Sequence, residues 1–309
     1  MTTPKIAAIV CTHNRSKFLT GALDSLLRQS VDAAAYEIIV VDNISTDNTP
    51  QIGQAYSEQH VNLRYHLEPK LGLAVARNSG ISLTNADLVA FTDDDAIVSF
   101  DWIERLLDRF STVHAMTAAI GGEIDPIWEI PRPRWLTDAM LRPLSAHLGW
   151  SDRPTVLQDD QWICEVNCAY RRDLLLRYGG FPTVLGRRGS NLLSGENTIN
   201  DRLRDDGYQL FFDPHIRVQH IIHADRLCRN WFRRRYFWQG VTGAVAASER
   251  QQWGAVATHW QVLDLPQSPD EWVLMFEEEG DNAGFEAHCT RLAHLGYLLS
   301  LKGLIEGNR

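Results

Sequence analysis

Three consecutive acids, Asp93-Asp94-Asp95, follow the short apolar run Leu88-Val89-Ala90-Phe91-Thr92. A buried strand that ends in a knot of carboxylates needs a counter-charge, because like charges a few ångströms apart destabilise one another. Residues two apart on a strand point to the same side, so Asp93 and Asp95 can converge while Asp94 faces elsewhere. A hard divalent cation, held by one or two carboxylates and completed by substrate phosphates, answers that need. The competing reading is a solvated turn, since aspartate is common in turns and at helix N-caps.

The elements around these acids decide between the two. Apolar runs at Ile6–Val10, Ile38–Val41, Leu88–Thr92 and Ala118–Gly122 read as strands, as does the alternating stretch Asn62–His66. Helical spacing is seen over residues 16–29, from Asp47-Asn48-Thr49-Pro50 onward, over Leu73–Leu83 and over Asp101–Phe110. Short apolar strands separated by helices predict an α/β chain with a mostly parallel sheet covered on both faces. Ligands of such sheets bind at the carboxyl ends of the strands, where Asp42 and Asp93 to Asp95 fall. Beyond residue 125 comes an irregular Pro- and Trp-containing segment to about 160. A strand to about Tyr170, a helix through Tyr178, a Gly-Arg-Ser loop, a helix from about Glu196 to Asp206 and strands near Gln209–Phe212 and Ile216–His220 follow. The stretch Leu227–Ala247 reads as helix.

The composition narrows the function further. The chain has 309 residues, 44% hydrophobic and 22% charged, with a formal charge of −9, which argues against a general nucleic-acid binder. No apolar run approaches the roughly eighteen residues of a membrane-crossing helix, and Met-Thr-Thr-Pro-Lys-Ile lacks the layout of a signal peptide. Five scattered cysteines suit a reducing cytoplasm, so a cytoplasmic location is expected, with peripheral attachment at the inner face of the membrane left open.

Four segments together resemble successive motifs of the family 2 glycosyltransferases. They are Val10-Cys11-Thr12-His13-Asn14-Arg15, Val40-Val41-Asp42-Asn43 through Thr49, Leu71-Gly72 through Gly80, and Phe91-Thr92-Asp93-Asp94-Asp95. The match covers about residues 5–125, and a weaker one continues through Gly195-Glu196-Asn197 to His220. The resemblance implies a GT-A fold that binds a nucleotide-diphosphate sugar together with Mn2+ or Mg2+, and transfers the sugar with inversion. It implies a domain over 1–225, with a nucleotide-sugar half (1–125) and an acceptor-side half (126–225), followed by a helical extension (226–309). Thr12, Asn14 and Asn78 are similar to nucleotide-sugar-binding positions, and Asp42 resembles the aspartate that accepts a hydrogen bond from the base. Asp95 is the implied metal ligand, Asp94 a ribose contact and Asp93 a supporting acid. His220 resembles a late metal-binding histidine, with His223 three residues on as the alternative.

The base departs from the family pattern. The family places a Glu-Asp pair at the start of a helix, and here the pair reads Glu196-Asn197. Asparagine cannot take a proton at neutral pH, so either Glu196 is the base or catalysis is lost. On the acceptor side, Trp128, Trp135, Trp150 and Trp162 are candidates for stacking on sugar rings, with packing plugs as the alternative, and Asn167 resembles a small polar strand end beside the acceptor. The loop around Gly186-Arg187-Arg188-Gly189 could cover the site. The basic, aromatic stretch Arg226–Trp238 could meet anionic lipid or pack on the domain. The expected donor is a UDP-sugar and the expected acceptor a glycan or lipid-linked sugar. Two rival readings remain: a degenerate nucleotide-sugar-binding protein, kept open by Asn197, and a nucleotidyltransferase, which would be expected to carry a Gly-rich N-terminal loop.

Overall fold

The structure, a computed structural model, describes residues 4–189, 191–263, 268 and 282–304. Its centre is a nine-stranded sheet in which β1 (Ile6–Thr12), β2 (Tyr36–Asp42), β3 (Leu63–Leu67) and β4 (Leu88–Asp93) run parallel in the order β3-β2-β1-β4. Beyond β4 come β8 (Cys168–Arg171), β6 (Thr117–Trp128), β9 (Gln209–Ile222) and β5 (Ala96–Val98); β8 runs antiparallel to both β4 and β6, and β5 and the short β7 (Thr155–Val156) run antiparallel to β9. The expected parallel sheet thus accounts for the first four strands, and the complete sheet is mixed.

The parallel strands are apolar on both faces because both are covered. Ile6, Ala8 and Val10 join one core cluster with Leu19, Leu23 and Leu26 of α1 (Ser16–Leu27) and Trp102, Ile103 and Leu106 of α4 (Trp102–Thr112). Ala7 and Ile9 join a second cluster with Ala74, Ala76 and Ile81 of α3 (Leu73–Leu83), Leu174 and Leu175 of α5 (Arg172–Arg177), and Ile199 and Leu203 of α6 (Glu196–Asp205). Each large side chain fully buried this way is worth about 1.5–3 kcal/mol. The remaining parallel-half helix, α2 (Thr49–Gln59), starts with Pro50 in its first turn, where the missing N–H costs little.

Four strands differ from the sequence expectation. β6 runs to Trp128 instead of stopping near Gly122, β9 is one strand through Pro214 instead of two, and the short β5 and β7 were not foreseen. The chain divides into two compact units. The first comprises Met1–Ile127, Ser145–Pro182 and Glu196–Ile221, and the second Trp128–Leu144, Thr183–Gly195 and Ile222–Arg309. In the second unit, α7 (Arg229–Glu249) packs extensively on α9 (Asn282–Leu301), which also meets α8 (Ala255–Gln261). No helix among the described residues is long and apolar enough to cross a membrane.

Candidate active site

Strand register does the first part of the assembly. Thr12 lies beside Asp42 across β1 and β2, and Cys11 lies beside Asp93 across β1 and β4. The carboxyl ends of three strands therefore line up at one edge. β4 ends at Asp93, and Asp94-Asp95 form the turn into β5. β5 pairs antiparallel with β9 so that Ala96 faces His220, and the Ile221 N–H donates to the Asp95 carbonyl at 2.9 Å. That rung brings His220 Nε2 to 3.3 Å from Asp95 Oδ1, with both side chains almost fully buried. One ligand atom each from Asp93, Asp95 and His220 lie within 4.8 Å of one another.

This donor set fits a divalent cation. His220 turns its Nε2 toward Asp95, so that nitrogen can ligate beside the carboxylates, while Nδ1 is buried without a hydrogen-bond partner. Burial pushes the Asp94 carboxyl well above the usual range, and the charges of Asp95 and Asp93 push it the same way, with Arg15 pulling it back. Excess negative charge gathered in a low-dielectric strand end is what a cation relieves. The Thr12 hydroxyl, close to this carboxyl, is buried without a partner that meets hydrogen-bond geometry.

Other expected binding residues build the surroundings. Asp42 is wholly buried, accepting from the Ser45 N–H (2.9 Å) and the Tyr65 hydroxyl (2.8 Å). Burial and the adjoining Asp42 carboxylate push the Tyr65 hydroxyl far up, so it stays a donor. Asn14 has a left-handed backbone (φ 55°); its N–H donates to Ser45 Oγ, and its Oδ1 accepts from the Thr46 N–H at 2.7 Å. Asn78 uses both ends of its amide on Phe181: Oδ1 accepts from the Phe181 N–H at 2.8 Å and Nδ2 donates to the Phe181 carbonyl at 2.9 Å. Gly180 sits against it at φ 74°, and a Cβ there would fall 2.3 Å from Asn78 Oδ1. Arg77 is buried with its guanidinium over the Phe181 ring, 4.0 Å from Glu165.

Glu196 and Asn197 begin α6, and their side chains lie outside the described residues. The next turn is firmly held: Asn200 is fully buried and its Oδ1 accepts from the Tyr170 hydroxyl at 2.9 Å. His223 pairs with Glu129 at 3.4 Å within the second unit, whereas His220 is the histidine that meets Asp95.

The acceptor-side candidates are mainly internal. The Trp150 N–H donates to the Trp162 carbonyl, their rings meet edge-on at 4.8 Å, and both pack on the core. Trp135 packs edge-on against Phe232 and Phe285. Asn167 is almost completely buried: its Oδ1 accepts from the Trp102 indole N–H and its Nδ2 donates to the carbonyls of Glu123 and Ile216, all at 2.8 Å. Sequence reasoning passed over Asn43, which accepts from the Gly72 N–H and donates to the carbonyls of Glu68 and Lys70, tying the strand end to the loop that enters α3. The signal available was its place directly after a buried strand, where an amide can serve loop backbone.

Comparison with known proteins agrees with this geometry. The family model described as "Glycosyl transferase family 2" matches residues 7–178. The chain is 24% identical over 252 residues to a glucosyl-dolichyl phosphate glucuronosyltransferase of Haloferax volcanii, covering 78% of this chain and 77% of that one. Among solved structures, it resembles the mannosyltransferase PcManGT from Pyrobaculum calidifontis in complex with GDP-Man and Mn2+, with a TM-score of 0.62, 19% identity, and coverage of 97% of this chain and 88% of that one. It also resembles S. aureus TarS 1-349 in complex with UDP, with a TM-score of 0.57, 14% identity and coverage of 97% and 92%. At these identities the structural likeness shows a shared fold, that of the GT-A glycosyltransferases.

Proposed function

The chain belongs to glycosyl transferase family 2 and is a glycosyltransferase; on that premise we propose that it transfers a sugar, with inversion, from a nucleotide-diphosphate donor to a glycan or lipid-linked acceptor. The observation that carries the reading is the convergence of Asp93, Asp95 and His220, delivered by the β4–β5 turn and by β9. Asp93, Asp95 and His220 would hold Mn2+ or Mg2+, which when bound neutralises charge on the departing nucleoside diphosphate. A UDP-sugar is the first donor to test, because a fold neighbour binds UDP; another binds GDP-Man, so the base is part of the test. The name of the Haloferax relative supports a lipid-linked acceptor.

The chain's own groups then divide the work. The loop built on Asn14, Asp42 and Asn43 forms the walls of the nucleotide end, and the unpartnered Thr12 hydroxyl is available to a ribose or base. Asp94 keeps a raised proton affinity and suits hydrogen bonding to a ribose hydroxyl. Glu196 takes the proton of the acceptor hydroxyl as that oxygen attacks the anomeric carbon. Its place at a helix N-terminus keeps it ionised and ready for that proton. The partner position is Asn197, which cannot share the role.

The test is calorimetric titration of a panel of nucleotide sugars with Mn2+, set beside donor hydrolysis and transfer by the wild type and by Glu196→Gln. Binding with turnover that falls about 100-fold or more in Glu196→Gln supports the reading. Binding without turnover in either protein favours the alternative that Asn197 motivates, a nucleotide-sugar-binding protein without a base. Turnover unchanged in Glu196→Gln moves the base elsewhere.

A further inference from the structure

A second group of metal-type ligands lies in the first unit and has no part in the site above. Glu123 and Asp125, two apart on β6, present their carboxylates to one face. His147 joins them from the chain segment that crosses that strand: its N–H donates to the Ile124 carbonyl at 2.9 Å, between the two acids. One ligand atom from each of Glu123, Asp125 and His147 lie within 4.8 Å of one another. They open into a cleft of about 510 Å³, whose wall is completed by Gly149, Asp152, His215 and Arg217.

The charge in that cleft is unbalanced. Arg217 grips Asp125 through both oxygens, at 2.5 to 3.0 Å, which fixes the carboxylate and leaves further lone pairs facing away. Glu123 is mostly shielded from water (12% exposed), and its ion-pair partner is His147 at 3.8 Å, too far for a hydrogen bond. Burial pushes the Glu123 carboxyl up, and the nearby Asp125 charge adds to the effect. Three carboxylates, those of Glu123, Asp125 and Asp152, thus line a cleft to which one arginine contributes a permanent positive charge. An ion of charge two would balance it, and two carboxylates with one imidazole form a mixed oxygen–nitrogen set of the kind that Zn2+ and Mn2+ accept. Mg2+ and Ca2+ favour oxygen-only cages.

We propose that Glu123, Asp125 and His147 form a second divalent-cation site, selective for first-row transition ions, which fastens the segment around His147 to β6. The ion is structural: it sits on strand and crossing segment, and its residues are other than those assigned to sugar transfer. The claim is independent of which donor or acceptor the enzyme uses.

The experiment counts ions. Metal-stripped full-length protein is titrated with Mn2+, and free Mn2+ is followed by electron paramagnetic resonance. Wild type binds two ions per chain, Asp95→Asn/His220→Ala binds one, and Glu123→Gln/His147→Ala binds one. In the Asp95→Asn/His220→Ala background, Mn2+ or Zn2+ raises the melting temperature, and a chelator reverses the rise. This second measurement covers a Glu123→Gln/His147→Ala variant that fails to fold. A wild-type count of one that vanishes in Asp95→Asn/His220→Ala overturns the proposal. So does a count of two that survives in Glu123→Gln/His147→Ala, or the absence of any thermal shift in the Asp95→Asn/His220→Ala background.

Discussion

Replacing Asn167 by alanine should unfasten the place where the loop entering β8 meets β6 and β9. The amide satisfies three buried groups at once, the indole N–H of Trp102 and the carbonyls of Glu123 and Ile216, each at 2.8 Å. Removing it orphans one donor and two acceptors, and each buried orphan costs about 1–3 kcal/mol. Water cannot easily substitute, because Gly122 closes the space: a Cβ there would lie 2.6 Å from Asn167 Nδ2 and 2.0 Å from the Ile216 carbonyl oxygen. The carbonyls keep second lone pairs and some strand contacts, so the lower part of the range applies, and the sum is about 3–5 kcal/mol. Urea denaturation followed by tryptophan fluorescence and circular dichroism measures it. Trp102→Phe removes only the indole donor and should cost about 1–2 kcal/mol. The double variant should be less damaged than the sum of the two by about 1 kcal/mol, because the donor and its acceptor leave together. A loss below about 1 kcal/mol for Asn167→Ala, or strict additivity in the double variant, would refute the reasoning. It would return Asn167 to the acceptor-side role that the family resemblance implies.

Three further outcomes follow from the same contacts. Asp94→Asn should raise the melting temperature of metal-free protein near neutral pH. The raised proton affinity of Asp94 means that the folded state holds its proton more tightly, so its contribution falls as pH climbs from 3.8 through the folded value; a variant without the charge loses that slope in thermal scans against pH. Gly180→Ala should destabilise by about 1–3 kcal/mol from the positive φ and the clash with Asn78, read by thermal or urea unfolding; a neutral effect would mean that the Asn78–Phe181 clamp is loose. His220→Ala should weaken Mn2+-dependent transfer so that about 100-fold more Mn2+ is needed for half-maximal rate, with His223→Ala near wild type; the reverse ranking would exchange the two histidines.

The parallel half was legible because its signal is local. Continuous apolar runs such as Ile6 to Val10 and Ile38 to Val41 announce strands buried on both faces, and the Asp93–Asp95 spacing announces a shared side. The polar residues were less legible, since their partners are distant in sequence. Asn78 and Asn167 are amides of the type that bind ligands, yet Phe181, Ile216 and Trp102 engage them, and no short-range pattern marks such pairs. β9 was split in two at Pro214 because proline removes a ladder donor, but the strand continues through it. β6 was cut at its glycine pair, which hid Glu123 and Asp125 as strand residues. His220 was singled out through family resemblance alone; the structure supplies the physical cause, a three-residue strand too short to read from periodicity.

On the proposed metal role, that short strand makes cation affinity a late property of the nascent chain. Asp93 and Asp95 leave the ribosome long before His220, and only the closing of β9 against β5 supplies the imidazole. A chain that has formed its parallel strands alone holds two acids and a weak grip on any ion. Side chains alternate along a strand, so slipping β9 by one residue would present Gln219 or Ile221 opposite Ala96 instead of His220 and leave the acids without their third ligand. Under that proposal, Mn2+ uptake at this edge would report, from a single rung, that a pairing across more than a hundred residues has closed in register.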